Sequence, residues 1–150
     1  MTLGASICVK GSVEAAAFYQ NAFGLTSAHH GINPDGTYGH VELQRDGKAV
    51  FSFAESGSET RGMVDMILSG ELNPVMQFSV DFETKQEVRA AFDILSQGGR
   101  VISPIEALPW SPCCASVVDR YGVWWFIHMP ADKRPTAKEV EKFFGWDKSG

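Results

Sequence analysis

Residues 111–130, with the sequence SPCCASVVDRYGVWWFIHMP, hold the side chains best suited to chemistry in this chain of 150 residues. Two adjacent cysteines, two adjacent tryptophans and His128 fall within sixteen positions. Thiol and imidazole groups bind transition metals and thiols undergo redox reactions, so a metal or redox centre is one hypothesis. The alternative is a β-hairpin, in which successive side chains point to opposite faces and only half of them can meet a ligand.

The cysteine pattern argues against a redox or metal centre. Three cysteines, at positions 8, 113 and 114, fit neither a disulfide framework nor a C-x-x-C metal motif. A disulfide between neighbouring residues is strained, and strand alternation would point Cys113 and Cys114 in opposite directions. We therefore expect one buried thiol and one thiol at a pocket or the surface, in a protein of the reducing cytoplasm.

Two further sites could carry acid–base chemistry. In the stretch YGHVELQ, His40 and Glu42 alternate with the apolar Val41 and Leu43, so they share one face of a strand. They are candidates for an acid–base or ligand-anchoring pair, and a solvated strand face is the alternative. His128 is a candidate proton shuttle, although a strand-end histidine near water is the interpretation we favour.

Composition sets broad limits on the class of protein. The chain is 44% hydrophobic and 21% charged, as expected for one compact globular domain. The net charge of -5 and the pI near 5.3 argue against binding to nucleic acid or to an anionic membrane. We also expect no membrane span, since no run approaches about 18 apolar residues, and the start MTLGASICVK lacks signal-peptide features.

The chain contains two similar halves. Ala-Ala-Phe at 16–18 is followed by Gly24, and Ala-Ala-Phe at 90–92 is followed by Gly98, with an offset of 74 in each case. Helices are predicted over 12–24 and 84–99, the second begun by a capping box of Thr84 and Glu87. Each helix follows one strand candidate and precedes three, so each half is predicted to be β-α-β-β-β. The predicted strands are 5–10, 25–32, 38–44, 49–54, 75–82, 100–104, 113–118 and 123–128.

These elements predict an α+β fold. One domain spans residues 1–150 and is built from two βαβββ modules. The predicted parts are a module at about 1–55, a linker at 56–74 with one short helical turn, a module at about 75–130 and a C-terminal helix at about 136–144. A second capping box, of Thr136 and Glu139, is predicted to begin the C-terminal helix.

The paired modules resemble the vicinal oxygen chelate superfamily, which includes glyoxalase I, bleomycin-resistance proteins and extradiol dioxygenases. The residues that carry the resemblance are VEAAAFYQNAFGL, FSVDFETKQEVRAAFDILSQGGRV and VVDRYGVWWFI. Within it the chain looks closest to the PhnB-like branch, also labelled demethylubiquinone methyltransferase-like. The resemblance implies a glyoxalase/bleomycin-resistance-like fold, in which the two modules form cupped mixed sheets with a ligand in each cup. Methyltransferase activity itself is not expected, because no glycine-rich turn opens a helix after the first strand.

The resemblance also implies four metal-ligand positions, which fall at Gly4, Ser52, Val75 and Phe126. None of these supplies the imidazole, carboxylate or thiolate donors that a divalent metal needs, so we expect no metal and no cofactor. Glu55 could reach the site only if the register were shifted.

The same positions define which strand face looks into each cup. The other face is apolar at Ile7, Val9, Phe51, Phe53, Met76, Phe78, Val80, Trp125 and Ile127. The cup face is mixed, and together with Trp110 in the preceding loop it gives the predicted ligand contacts, which are Ser6, Cys8, Ser52, Gln77, Ser79, Trp110, Trp124 and Phe126. Trp110 is predicted either to cover the pocket or to pack on its rim.

Two functions compete on these residues. The first is a metal-free protein that binds and sequesters a small molecule, similar to the way bleomycin-resistance proteins act. The alternative is a lyase- or oxidoreductase-type enzyme of the superfamily, with displaced metal ligands such as His40, Glu42 and Glu55, or with His40 or His128 as general base. In either case we expect a homodimer, since each four-stranded sheet would leave an open side.

Overall fold

The computed structural model describes residues 1, 3–58 and 60–146, which form an α+β structure with two four-stranded mixed sheets. The chain divides into two compact units. The first comprises Met1–Asn73 together with Arg120–Gly122, and the second comprises Pro74–Asp119 and Val123–Gly150. Among the described residues, no helix has both the length and the apolar character needed to cross a membrane.

The first unit has the predicted β-α-β-β-β order. Its sheet runs β1-β4-β3-β2, with β1 parallel to β4 and the other pairs antiparallel. The turn between β3 and β4 places Asp46 and Gly47 at φ 51° and 72°, as a two-residue hairpin requires. The elements are β1 (Ser6–Val9), α1 (Ser12–Phe23), β2 (Thr26–Ile32), β3 (Tyr38–Arg45), β4 (Lys48–Glu55) and α2 (Arg61–Ser69).

The second unit repeats this order. Its sheet runs β5-β8-β7-β6, with β5 parallel to β8. The elements are β5 (Gln77–Asp81), α3 (Lys85–Leu95), β6 (Arg100–Leu108), β7 (Ser111–Val118), β8 (Trp124–Met129) and α4 (Ala137–Phe144). The capping boxes predicted at Thr84 and Thr136 are both present, because local sequence alone is enough to form them. The predicted α+β fold of two βαβββ modules is confirmed.

One sheet face in each unit carries the core, and we call it the helix face. Trp125 and Ile127 of β8 and Phe51 and Phe53 of β4 are buried there, as the alternation predicts. In the first unit, Tyr19 of α1 packs edge-on against both phenylalanine rings. The opposite face, which we call the open face, is exposed or half-buried at most of its positions on β1, β4, β5 and β8.

Several details differ from the sequence prediction, among them β6, which was predicted to end at residue 104 and continues to Leu108. Met76 was predicted to be in the core, but β5 begins one residue later and Met76 is 64% exposed. The linker was predicted to form a single helical turn, but its residues 61–69 form the nine-residue helix α2, which buries Ile67. The sequence underestimated α2 because glycines and serines flank it, and these weaken a local helix signal that tertiary packing restores.

Candidate functional site

The open face of the second sheet brings together several of the predicted ligand contacts. Trp124, Phe126 and His128 follow one another along β8 at every second position, and all three are half-buried. Their partners on the parallel strand β5 are Gln77, Ser79 and Asp81, in the same order. Three aromatic or imidazole rings therefore form a column beside a polar column.

Hydrogen bonds order one end of this face. Trp124 Nε1 donates to Ser116 Oγ at 2.7 Å, and Gln77 Nε2 donates to the same oxygen at 3.3 Å. Ser116 lies opposite Phe126 on β7 and is itself buried. Ser116 therefore fixes the orientation of the Trp124 indole. It also fixes the side-chain amide of Gln77, so the direction of the amide oxygen is set as well. Sequence reasoning missed Ser116, although its place two residues after Cys114 puts it on the same face.

His128 and Asp81 form the polar pair at the other end. His128 Nε2 lies 2.7 Å from Oδ1 of Asp81, and the imidazole packs beside the Phe126 ring at 4.8 Å between centroids. The Asp81 carboxylate fixes the proton on Nε2, which leaves Nδ1 as the remaining polar atom of the ring. Nδ1 is buried and has no hydrogen-bond partner in the described part of the chain.

Asp81 was not predicted as a site residue. Its period-two spacing after Gln77 and Ser79 was the available signal, but its pairing with His128 depends on the register of two strands 47 positions apart. An aspartate beside a histidine is the arrangement that orients an imidazole for proton transfer or ligand binding.

The two adjacent cysteines do not form a reactive site. Both are buried, so the expectation of one accessible thiol in this pair was wrong. Cys113 Sγ lies 4.0 Å from the carbonyl oxygen of Lys85 on the helix face, and Cys114 Sγ lies 3.6 Å from that of Glu106 on the adjacent strand β6. Burial raises the pKa of the Cys114 thiol, which favours the unreactive protonated form. The accessible cysteine is Cys8.

The open face of the first sheet is more polar. Ser6, Ser52 and Glu42 lie in one row across β1, β4 and β3. Gln44 donates to the Glu42 carboxylate at 2.6 Å, so this acid already has a partner. His40 is exposed, and no described hydrogen bond or ion pair joins it to Glu42. The structure therefore places both residues on the predicted face but does not show them as an acid–base pair.

Trp110 lies apart from the other predicted ligand contacts. It occupies the turn between β6 and β7, where its ring packs on Phe144 of α4 with 5.9 Å between centroids. Trp124 pairs with Val118 at the far end of β7, which is roughly 25 Å away at the usual rise of a strand. Trp110 is therefore placed beside α4 rather than beside the Trp124 end of the open face.

In this chain, the residues at the four metal-ligand positions that the resemblance implies do not fit a divalent metal. The strand register aligns Ser6 with Ser52 and Ser79 with Phe126, so Gln77, not Val75, corresponds to Gly4. Val75 precedes β5 and is 98% exposed. The corrected set offers one carboxamide and one hydroxyl, which are weak donors for such a metal. Among the residues described, no three His, Cys, Asp or Glu side chains are grouped to hold an ion.

Glu55 is not one of these four metal-ligand positions and has a structural role instead. It lies on the helix face of β4, where Oε1 accepts from Gly11 N–H at 3.2 Å and Oε2 from Ser12 N–H at 2.8 Å. It thereby caps α1, whose N-cap residue is a glycine with no side chain for the task. Burial raises the pKa of Glu55, but the Ser12 and Gly11 bonds and the charge of Lys10 lower it more, so the net pKa is below its ordinary value of 4.5.

The structure is similar to several solved proteins. A putative 3-demethylubiquinone-9 3-methyltransferase, a PhnB protein from Bacillus cereus, matches with a TM-score of 0.68 and 22% identity over 86% of this chain and 99% of that one. A glyoxylase/bleomycin resistance protein/dioxygenase domain from Frankia sp. EAN1pec has a TM-score of 0.62 and 16% identity over 87% and 98% of the two chains.

The fosfomycin resistance protein FosX from Listeria monocytogenes, in complex with Mn(II) and sulfate, has a TM-score of 0.59 and 12% identity over 96% and 97% of the chains. No protein-family model matches the sequence, and no curated protein does. The chain therefore has the glyoxalase/bleomycin-resistance-like fold. The resemblance to the vicinal oxygen chelate superfamily is confirmed at the level of this fold, with a PhnB protein among the structural neighbours.

Proposed function

We propose that this chain is a metal-independent small-molecule-binding protein of the PhnB-like kind, and that an aromatic ligand binds on the open face of the second sheet. The observation that carries the proposal is the column of Trp124, Phe126 and His128 beside Gln77 and Ser79. Half-exposed rings next to a few oriented polar groups are the usual lining of a small-molecule site.

The physical case rests on how the rings are held. Trp124 is fixed by Ser116, and the His128 ring by Asp81 and Phe126, so little side-chain entropy is lost when a planar molecule stacks on them. Stacking between aromatic rings contributes about 0.5–1.5 kcal/mol beyond area burial. The polar column can then select ligands that carry a hydroxyl or amide group. On the first sheet, Ser6, Cys8 and Ser52 remain predicted ligand contacts.

The test uses 2-naphthol as a neutral aromatic probe in isothermal titration calorimetry. We expect binding to the wild type that weakens about tenfold in Trp124→Ala and in Phe126→Ala, which corresponds to about 1.4 kcal/mol for each ring. The matched control is Val50→Ala, which truncates an apolar side chain on the open face of the first sheet. Unchanged affinity in both ring variants, or equal loss in the control, would overturn the proposal.

A second candidate function, proton-transfer catalysis without a metal, is favoured by the Asp81–His128 pair. In this proposal His128 acts as general base, and Asp81 holds the imidazole in one tautomer. The unsatisfied Nδ1 is the specific observation in its favour, because buried polar atoms without partners are uncommon outside functional positions.

Nitrogen-15 NMR of His128 tests this second function. We expect 2-naphthol to shift the Nδ1 resonance, and 2-methoxynaphthalene, which has no hydroxyl donor, to leave it in place. Asp81→Asn should redistribute the proton between the ring nitrogens. Identical responses to the two probes would contradict a role for Nδ1 in proton transfer.

We also propose that the working form is a homodimer. The open faces leave Val50 and much of β1 and β5 accessible, and α4 exposes Phe143 and Trp146. A two-fold assembly would cover such surfaces with self-complementary contacts.

A further inference from the structure

A pocket lined by residues of the first unit combines positive charge with an apolar wall. Its volume is about 530 Å³, within the usual range for small-molecule sites. The end of β1, the helix α2 and the residues Arg120 and Tyr121 form its walls. We propose that this pocket binds a small molecule with an oxyanion at one end and an apolar group at the other.

The charges lining the pocket favour an anion. Lys10, Arg61 and Arg120 are cationic, whereas Asp65 is the one carboxylate among the lining residues. The whole chain carries a net charge of -5, so a local excess of positive charge is contrary to its overall balance. A concave site lined by one sign of charge concentrates the opposite ion.

Arg120 is positioned by a contact with an aromatic ring and not by an ion pair with a carboxylate. The centre of its guanidinium lies 4.7 Å from the centroid of the Phe18 ring, and no described carboxylate forms an ion pair with it. A cation–π contact orders the guanidinium and leaves its in-plane N–H donors for an oxyanion. Lys10 lies 4.0 Å from Glu55, but both oxygens of that carboxylate already accept backbone N–H groups of α1.

The N-terminus of α2 adds to the positive electrostatic potential of the pocket. The Thr60 side chain makes no capping hydrogen bond, and the first turn contains no acidic residue. The amide groups of a first turn carry partial positive charge, and three residues of this segment, Thr60, Arg61 and Met63, line the pocket. The N-terminal end of α2 thus adds to the positive potential that Lys10 and Arg120 produce in the pocket.

The apolar part of the pocket lining determines which kind of chemical group the anion must carry. Val9, Met63, Val64, Leu68 and Tyr121 line the pocket beside the charges. Methionine and leucine side chains adapt to flexible apolar groups. The occupant is therefore an amphipathic oxyanion, and bare inorganic phosphate would leave this wall unfilled.

Octanoate is the probe for this proposal, with octanamide as the uncharged analogue and inorganic phosphate as the head group alone. Calorimetry should detect octanoate binding at least tenfold tighter than that of either analogue. Cys8 gives a second readout, since it lines the pocket and is exposed while the other two cysteines are buried. Octanoate should slow alkylation of Cys8 by iodoacetamide, whereas octanamide should not.

The variant Lys10→Gln with Arg120→Gln should weaken octanoate binding about tenfold or more, as expected for lost charge-assisted bonds. Arg120→Lys keeps the charge and should lose less affinity. The matched control is Arg89→Gln, an exposed cation on α3 in the other unit, which should have no effect. Circular dichroism establishes that each variant is folded.

Three outcomes would overturn the proposal: octanamide or phosphate binding as tightly as octanoate, no octanoate binding, or unchanged affinity in the double variant. The proposal stands independently of the aromatic site. Trp124→Ala and Phe126→Ala should leave octanoate affinity unchanged, so failure at one site is distinguishable from failure at the other.

Discussion

Trp125 Nε1 donates a hydrogen bond of 2.7 Å to Oδ2 of Asp119, and both side chains are buried. The other oxygen of Asp119 accepts from the backbone N–H of Val123 at 3.2 Å, which ties the tryptophan to the β7–β8 turn. The neighbouring Trp124 makes its hydrogen bond to Ser116 on the opposite face. The two adjacent tryptophans therefore have different roles, one in the core and one on the open face.

Substitution of the two tryptophans should separate stability from binding. Trp125→Ala should lower the free energy of unfolding by about 3–5 kcal/mol, the range for a buried large aromatic residue. Trp124→Ala should cost clearly less, since its ring is half-buried. Urea unfolding followed by circular dichroism measures both. As a control, Trp125→Phe keeps a ring but removes the N–H donor to Asp119, and we expect a loss of about 1–3 kcal/mol. Equal losses in the two alanine variants would contradict the assignment of faces.

Glu55→Gln should remove an acid-sensitive part of the stability. Because the folded-state pKa of Glu55 is lowered, its ionised form stabilises the fold fully above its unfolded-state pKa, and this contribution is lost as the pH falls through the folded-state pKa. The wild type should therefore exceed Glu55→Gln in stability near neutral pH, and the difference should shrink as the pH falls below the ordinary value of 4.5. Unfolding midpoints over a pH series measure this. The control is Asp93→Asn, at an exposed position on α3, and a pH-independent difference for Glu55→Gln would refute the mechanism.

The protein purified without a histidine tag should hold far less than one equivalent of Zn, Ni, Fe or Mn. The reason is the donor chemistry at Gly4, Ser52, Gln77 and Phe126. Elemental analysis by mass spectrometry, before and after dialysis against excess metal, measures the content. Close to one metal ion per chain, reduced in His40→Ala or in His128→Ala, would show that a site of different composition exists.

Light scattering coupled to size exclusion should give a mass near twice 16.4 kDa at micromolar concentration. The double variant Phe143→Ser with Trp146→Ser should shift the population towards the monomer, because it removes exposed apolar area from α4. Leu72→Ser, which alters a comparably accessible apolar residue, is the control. A wild-type mass near 16.4 kDa rules out the homodimer.

The fold could be predicted from the sequence because its signals are local. Strand alternation placed Trp125 and Phe53 in the core, and capping boxes located the starts of α3 and α4 to within one residue. These features depend on residues at most a few positions apart. Met76 was misplaced because alternation does not state where a strand begins.

The site could be predicted only in part, because its contacts join distant strands. The sequence identified the open-face positions of β8 but not the pairing of His128 with Asp81 or the hydrogen bond from Trp124 to Ser116. Those depend on the register between strands and on side-chain conformation. The burial of Cys114 was missed for the same reason, since its thiol meets the backbone of β6 at Glu106.

The cap that Glu55 provides for α1 has a consequence for the order of folding. The helices α3 and α4 carry their own caps three residues away, whereas α1 obtains its cap from a side chain 43 positions further along the chain. Closing that loop has an entropic cost, and short isolated helices are marginal in water. During synthesis, α1 thus lacks this stabilisation until β4 has been made and has paired with β1. Two halves of the same architecture would accordingly reach the native state by different routes, with the first governed by long-range contacts and the second begun by local ones.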